Sequence, residues 1–238
     1  MKKFLLQTRK RPVTVTMPIQ TENGEAEIYI VGYDPASPKT EYFTRRIIVN
    51  GSDTVEFQCP QTPRKLKIIA WSKGTAKFTI PKITVTPFQR YLNLMEDEKV
   101  DIAFIEKFAR KAGRLPARRT YRHKGANFKI ELLPVIRKDN GNEHPTPARI
   151  HVSKPIMQVS KKHFDEMTIP QRVAILTHEY SHNFINYNKD SEFEADENMV
   201  DLYKGLGYGK LEAVYAFANV MSDTDTNYER LNSIYEQL

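Results

Sequence analysis

His178-Glu179-Tyr180-Ser181-His182 places two imidazoles and a carboxylate within five consecutive residues. On a helix, residues four apart project from one face one turn apart, so both imidazoles reach a single ion while Glu179 is directed beside the open coordination position. Imidazole nitrogens at that separation suit Zn²⁺ in tetrahedral geometry, with room for a third protein ligand and a water. The ion makes such a water acidic. Glu179 is then the general base that accepts its proton and passes it to the leaving amine as a peptide carbonyl is attacked.

The third ligand is predicted from Ser191-Glu192-Phe193-Glu194-Ala195-Asp196. Glu192, Ala195 and Asp196 stand at i, i+3 and i+4 and share a helix face, whereas Glu194 points elsewhere. Glu192 is expected to complete the set with His178 and His182. Asp196, one turn along, is expected to accept the free ring N–H of a ligating histidine and so fix its tautomer. The competing reading of this cluster is an acidic first turn placed there by the helix dipole alone.

With these two segments the chain resembles a zincin metallopeptidase of the gluzincin branch, in which His-Glu-x-x-His is followed on the next helix by Glu-x-x-Ala-Asp. The similarity spans roughly residues 148–238 and is to the soluble catalytic core of the heat-shock and prenyl-protein membrane gluzincins. It implies a zinc cofactor and a protein or peptide substrate. It also implies that the strand before the motif helix is the rim on which an extended peptide lies, which assigns Arg149, Ile150, His151 and Val152 to substrate binding. The metzincin pattern is absent, since Ile185 and Asn188 stand where it needs Gly and His. The family's downstream His-Pro corresponds to Thr224-Asp225 ahead of Arg230-Leu231. Tyr187, Tyr215, Tyr228 and Arg230 are therefore the candidates for stabilising the oxyanion.

Two kinds of element must position these groups. Thr168-Ile169-Pro170-Gln171 reads as a capping box with an early proline, opening an apolar-periodic helix that runs to about Asn186. A tight turn at Asn188-Lys189-Asp190 leads to a helix from Glu192 to about Lys204, with further helices at 211–221 and 227–237. Upstream, Ile102, Ile105, Phe108 and Ala109 make one face of a helix over 99–112. Two extended runs, 127–136 and 148–153, add a small antiparallel sheet. Before residue 88 the grammar is strand-like: runs at 13–17, 26–33, 42–50, 54–58, 65–71 and 76–86 are separated by Asn23-Gly24, Asp34-Pro35-Ala36-Ser37-Pro38, Asn50-Gly51 and Lys73-Gly74. The fold class is thus α+β: an all-β sandwich or barrel over 1–88 that docks partners, then a mainly helical zincin domain over 89–238.

Composition narrows the function. The 238 residues, 40% hydrophobic and 27% charged, describe a folded chain rather than a disordered one. No apolar run approaches the length that spans a membrane, and the polar, basic opening is no secretory signal, so a cytoplasmic location is expected. The single cysteine, Cys59, is expected to be a buried apolar side chain. The net charge of +7 is locally dense over residues 107–124, a candidate contact for a polyanion. An endopeptidase is the leading reading. The alternative is a structural or assembly protein, such as a viral particle component, that carries the zincin domain as a scaffold or a single-use protease.

Overall fold

A computed structural model of the chain describes residues 1–90, 94–151, 154–218 and 225–237. They are α+β and divide into two compact units, Met1–Arg90 with Gly207–Gly209, and Tyr91–Leu206 with Lys210–Leu238. The return of Gly207–Gly209 to the first unit has no signal in the sequence. There Gly207 has φ +83° and lies so close to Phe88 that a Cβ would stand 2.5 Å from its ring. The neighbouring Tyr208 hydroxyl accepts a 2.7 Å hydrogen bond from Gln61.

The first unit is one curled antiparallel half-barrel, not a sandwich. Its strands are β1 (Lys2–Leu6), β2 (Val13–Asp34), β3 (Ser37–Cys59), β4 (Leu66–Ser72), β5 (Phe78–Thr79) and β6 (Thr84–Pro87), in the order β1-β4-β2-β3 with β5 and β6 also on β2. Asn23-Gly24 and Asn50-Gly51 do not end strands. They face each other across one ladder, where five steps from Gln20 to Glu25 oppose two from Ser52 to Asn50. Both glycines have φ near +75° and form a bulge, while Pro35-Ala36 makes the hairpin turn. An odd number of steps inverts the alternation, so the buried set changes from Val13, Val15, Met17 and Ile19 to Ala26, Ile28 and Ile30. Pro81 divides the expected strand at 76–86 into β5 and β6, because it has no N–H for a ladder.

Leu66, Ile68 and Ala70 are fully buried, as their alternation predicts. Cys59 is a buried free thiol. Of the whole chain's described helices, none is long and apolar enough to cross a membrane.

The second unit contains α1 (Glu96–Lys111), β7 (Arg119–Tyr121), β8 (Lys129–Leu133), β9 (Ala148–Ile150), β10 (Ile156–Ser160), α2 (Lys161–Glu166), α3 (Ile169–Phe184), α4 (Glu192–Gly205), α5 (Lys210–Ala218) and α6 (Asp225–Gln237). Its sheet, ordered β7-β8-β10-β9, is mixed and not antiparallel. β9 reverses the chain before β10, so β10 lies parallel to β8 while β9 pairs antiparallel on the outer edge. Tyr121, in the basic 107–124 run, packs on Phe108 of the same run and bonds the Pro116 carbonyl at 2.7 Å.

α3 is the central helix, and its start is encoded locally. Thr168 Oγ1 accepts from the Gln171 amide and Gln171 Oε1 accepts from the Thr168 amide, which satisfies two orphan donors, with Pro170 in the first turn. Twelve of its 16 residues are buried. One of them is Arg172, whose guanidinium donates to the carbonyls of Phe164 and Ala109 at 2.7 and 3.0 Å, tying α3 to α2 and α1.

Candidate metal centre

His178 and His182 project from one face of α3, with their Nε2 atoms 3.2 Å apart. Glu192, the first residue of α4, faces both imidazoles with its two oxygens: Oε2 stands 3.4 Å from His178 Nε2, and Oε1 stands 3.5 Å from His182 Nε2. Separations of this size are within reach of a first-row divalent ion bound at roughly 2.0–2.1 Å once a single Glu192 oxygen turns toward both histidines. The donor set, two imidazoles and a carboxylate, is equally apt, so these residues could hold a metal ion. Glu192 is the solvent-facing member of the group, its side chain 51% exposed against 7% and 11% for the histidines.

The distal ring nitrogens are held as well. His182 Nδ1 is 2.8 Å from the carbonyl of Lys189, which makes it the donor and leaves Nε2 bare. His178 Nδ1 lies 2.9 Å from Asp196 Oδ1. That carboxylate sits off the N–H direction, so the contact is a close ion pair more than a linear hydrogen bond. Phe217 on α5 meets the His178 ring edge-on at 5.3 Å and closes the apolar side.

The link from α3 to α4 is short and tied by its own side chains. Asn186 donates to the carbonyl of Ser191 at 3.1 Å and accepts from Asn198 at 2.9 Å. Ser191 caps α4 through the Glu194 amide, and Glu194 accepts from the amides of Tyr187 and Asn188. Glu194, directed away from the triad, thus anchors the link that sets Glu192 in place.

Electrostatics bind the group together. Burial opposes the charge of His178, but contacts with Asp196 and Glu192 outweigh it and push its pKa up to about 9. Contact with His178 holds Glu192 down at about 2, against burial and with help from Arg230 and His182. Burial pushes the Glu179 carboxyl above its ordinary range, with both imidazoles pulling the other way. A cluster that favours a proton on imidazole also favours a cation in its place.

Glu179 Oε2 accepts a 2.7 Å hydrogen bond from the amide of Ile150 on the edge strand β9. The His151 carbonyl accepts from Asn183 of α3 at 3.0 Å, and Arg149 turns to Gln158 at 2.9 Å. Val152 lies outside the described residues. Tyr187 is fully exposed, and Tyr215 and Tyr228 are about half exposed.

Arg230 is engaged with the carboxylates. Its Nε and NH2 fork onto Asp196 at 2.7 and 3.1 Å, and NH2 also reaches Glu192 Oε2 at 2.8 Å. Neither this clamp nor the Ile150 amide on Glu179 has a local signal, because both join residues about 30 positions apart. The Asp196→Asn substitution keeps the shape but removes the charge behind His178. Metal affinity, read by competition with a chromophoric chelator, is expected to fall about 10–100-fold. An unchanged affinity would remove Asp196 from the site.

No family model, curated protein or solved structure matches this chain.

Proposed function

We propose that the chain is a zinc-dependent endopeptidase. The reading is carried by one observation: two imidazole nitrogens and a carboxylate oxygen lie within 4.8 Å of one another, close enough to share one ion, with Glu179 next in sequence to one of them. A zinc ion bound there supplies a Lewis acid that acidifies water and polarises a carbonyl. Glu179 takes the proton on its carboxylate and delivers it to the departing nitrogen. Asp196 and the Lys189 carbonyl keep both Nε2 lone pairs facing inward.

β9 is the sheet edge beside α3, which makes it the rim for an extended peptide. Its Ile150 amide is held by Glu179, so a peptide carbonyl adding to this edge takes that amide and frees Glu179 to turn toward the triad.

The protein purified from zinc-supplemented growth is expected to hold about one zinc per chain and to cleave an unfolded protein substrate. A chelator should stop cleavage and added zinc restore it. A chain that binds no metal, or one whose cleavage ignores the chelator, ends the proposal. The second reading, a scaffold in an assembly protein, draws on the Glu179–Ile150 bond acting as a fixed strut. One zinc per chain without cleavage of any unfolded substrate selects it.

A further inference from the structure

The two units differ in net charge, although the second holds the basic 107–124 run. Residues 1–90 hold 15 Lys and Arg against 7 Asp and Glu, a net of +8, and residues 91–238 hold 21 against 22, a net of −1. Within the first unit the imbalance narrows again. Residues 1–11 and 60–72, which contain the paired strands β1 and β4, carry eight Lys and Arg and no acid. Three of the eight are on the strands and five on the segments that flank them, and charge of one sign gathered at a sheet edge is an electrostatic footprint for a polyanion.

Two recesses lie along this pair. One, of about 580 Å³, is lined by Gln7, Arg9, Lys10 and Arg64. The turn that builds it is strained: Arg9 and Lys10 both occupy the left-handed region, φ +53° and +62°, where glycine or asparagine is the usual occupant. The amides of Arg9 and Lys10 are tied to the carbonyls of Arg64 and Pro63 at 3.0 and 3.1 Å, which brings Arg64 beside the turn. The second recess, about 510 Å³, adjoins it in sequence through Lys65 and contains Lys3, Leu5 and Lys67 beside Pro35 and Ala36.

The outer face of the same strands is aromatic. Buried Ile68 and Ala70 point inward, which sends Lys67, Ile69 and Trp71 outward. In register with them on β2 stand Tyr33, Val31 and Tyr29. Tyr29 and Trp71 stack at 5.5 Å and 13°, Trp71 is 37% exposed, and the Lys67 ammonium lies over the Tyr33 ring at 5.7 Å. Arg46 is on this face too, but Glu27 pairs with it, so the charge available to a ligand comes from β1, β4 and the turn.

We propose that this face binds single-stranded nucleic acid. The lysines and arginines of the β1–β4 edge take the phosphates, with the Arg9–Lys10–Arg64 recess as the anchoring point, and bases stack on the exposed side of the Tyr29–Trp71 pair. Aromatic platforms beside a cationic groove are what unpaired bases require, since every base has a π-face and the backbone repeats its charge. An acidic protein would use the cations and leave the stacked aromatics without a role. The inference is independent of the metal centre.

Trp71 is the chain's one tryptophan, so its emission reports on this face directly. Titration of the full chain with an oligothymidylate of about 12 nucleotides is expected to quench it, with log affinity falling against log salt at a slope of about −3 for four phosphate contacts. Followed by anisotropy of a labelled oligonucleotide, Trp71→Leu and Tyr29→Leu should each weaken binding at least about fivefold. Lys10→Gly removes a charge and relieves a left-handed residue. It should lower affinity and the salt slope while raising the thermal midpoint, a divergence that loss of fold cannot produce. The proposal is overturned by absence of quenching, by a duplex of equal length binding as tightly, or by polyglutamate of equal charge displacing the oligonucleotide on equal terms.

Discussion

Glu179→Gln is expected to leave metal content unchanged and to lower the rate of peptide hydrolysis by at least about 10²–10⁴, the range over which a positioned general base contributes. The amide retains a carbonyl oxygen for the 2.7 Å bond from Ile150, so the link between α3 and β9 persists and the fold is not the cause of the loss. What disappears is the atom that accepts a proton. Metal analysis and single-turnover cleavage of one labelled substrate, run on the same preparation, separate the two effects. Full activity in the Gln variant removes Glu179 from the proposed chemistry. Loss of metal together with activity means that Glu179 supports the ligands and has no separate part in proton transfer.

The second large effect is on stability. Arg172 is 1% exposed and bonds the carbonyls of Phe164 and Ala109, at the C-terminal ends of α2 and α1. Carbonyls at helix ends have no intrahelical donor, and their partial negative charge favours a cation. In Arg172→Leu the apolar volume is largely kept but two buried acceptors lose their donors, at about 1–3 kcal/mol each. A loss of about 2–5 kcal/mol is expected in denaturant unfolding, with the thermal midpoint falling by several degrees for each kcal/mol. Arg172→Lys should recover only part, since an ammonium cannot span both carbonyls as the planar fork does. A change under about 0.5 kcal/mol for the Leu variant contradicts this account. The effect bears on the site because the same helix carries both histidines.

The helix that carries the motif was legible because its signals are local. Thr168, Pro170 and Gln171 mark the start within four residues, and the four-residue spacing of His178 and His182 fixes their common face. Glu192 and Asp196 followed from the same rule on the next helix, and the two are brought to the histidines as helix geometry requires. Local signals also misled. Asn-Gly pairs at 23–24 and 50–51 read as chain reversals, yet their meaning depended on lying opposite each other across a ladder. The parallel pairing of β8 with β10 depends on a crossover, which no periodicity records. Arg230, weighed as an oxyanion stabiliser, is 34 residues from Asp196, and only tertiary packing puts its fork on that carboxylate.

The link between α3 and α4 bears on which ion the group could hold. Lys189 orients one ligand through its carbonyl, while Glu194 and Asn186 set the link's shape and hence the start of the helix that carries another. The three donors are therefore preorganised, and little ordering entropy is lost when a cation enters. Discrimination among divalent ions then comes from stiffness as much as from donor type. Calcium, which needs more oxygens at longer distances, would have to pry the three residues apart, and magnesium would have to give up waters for a set of three donors that offers it no octahedron.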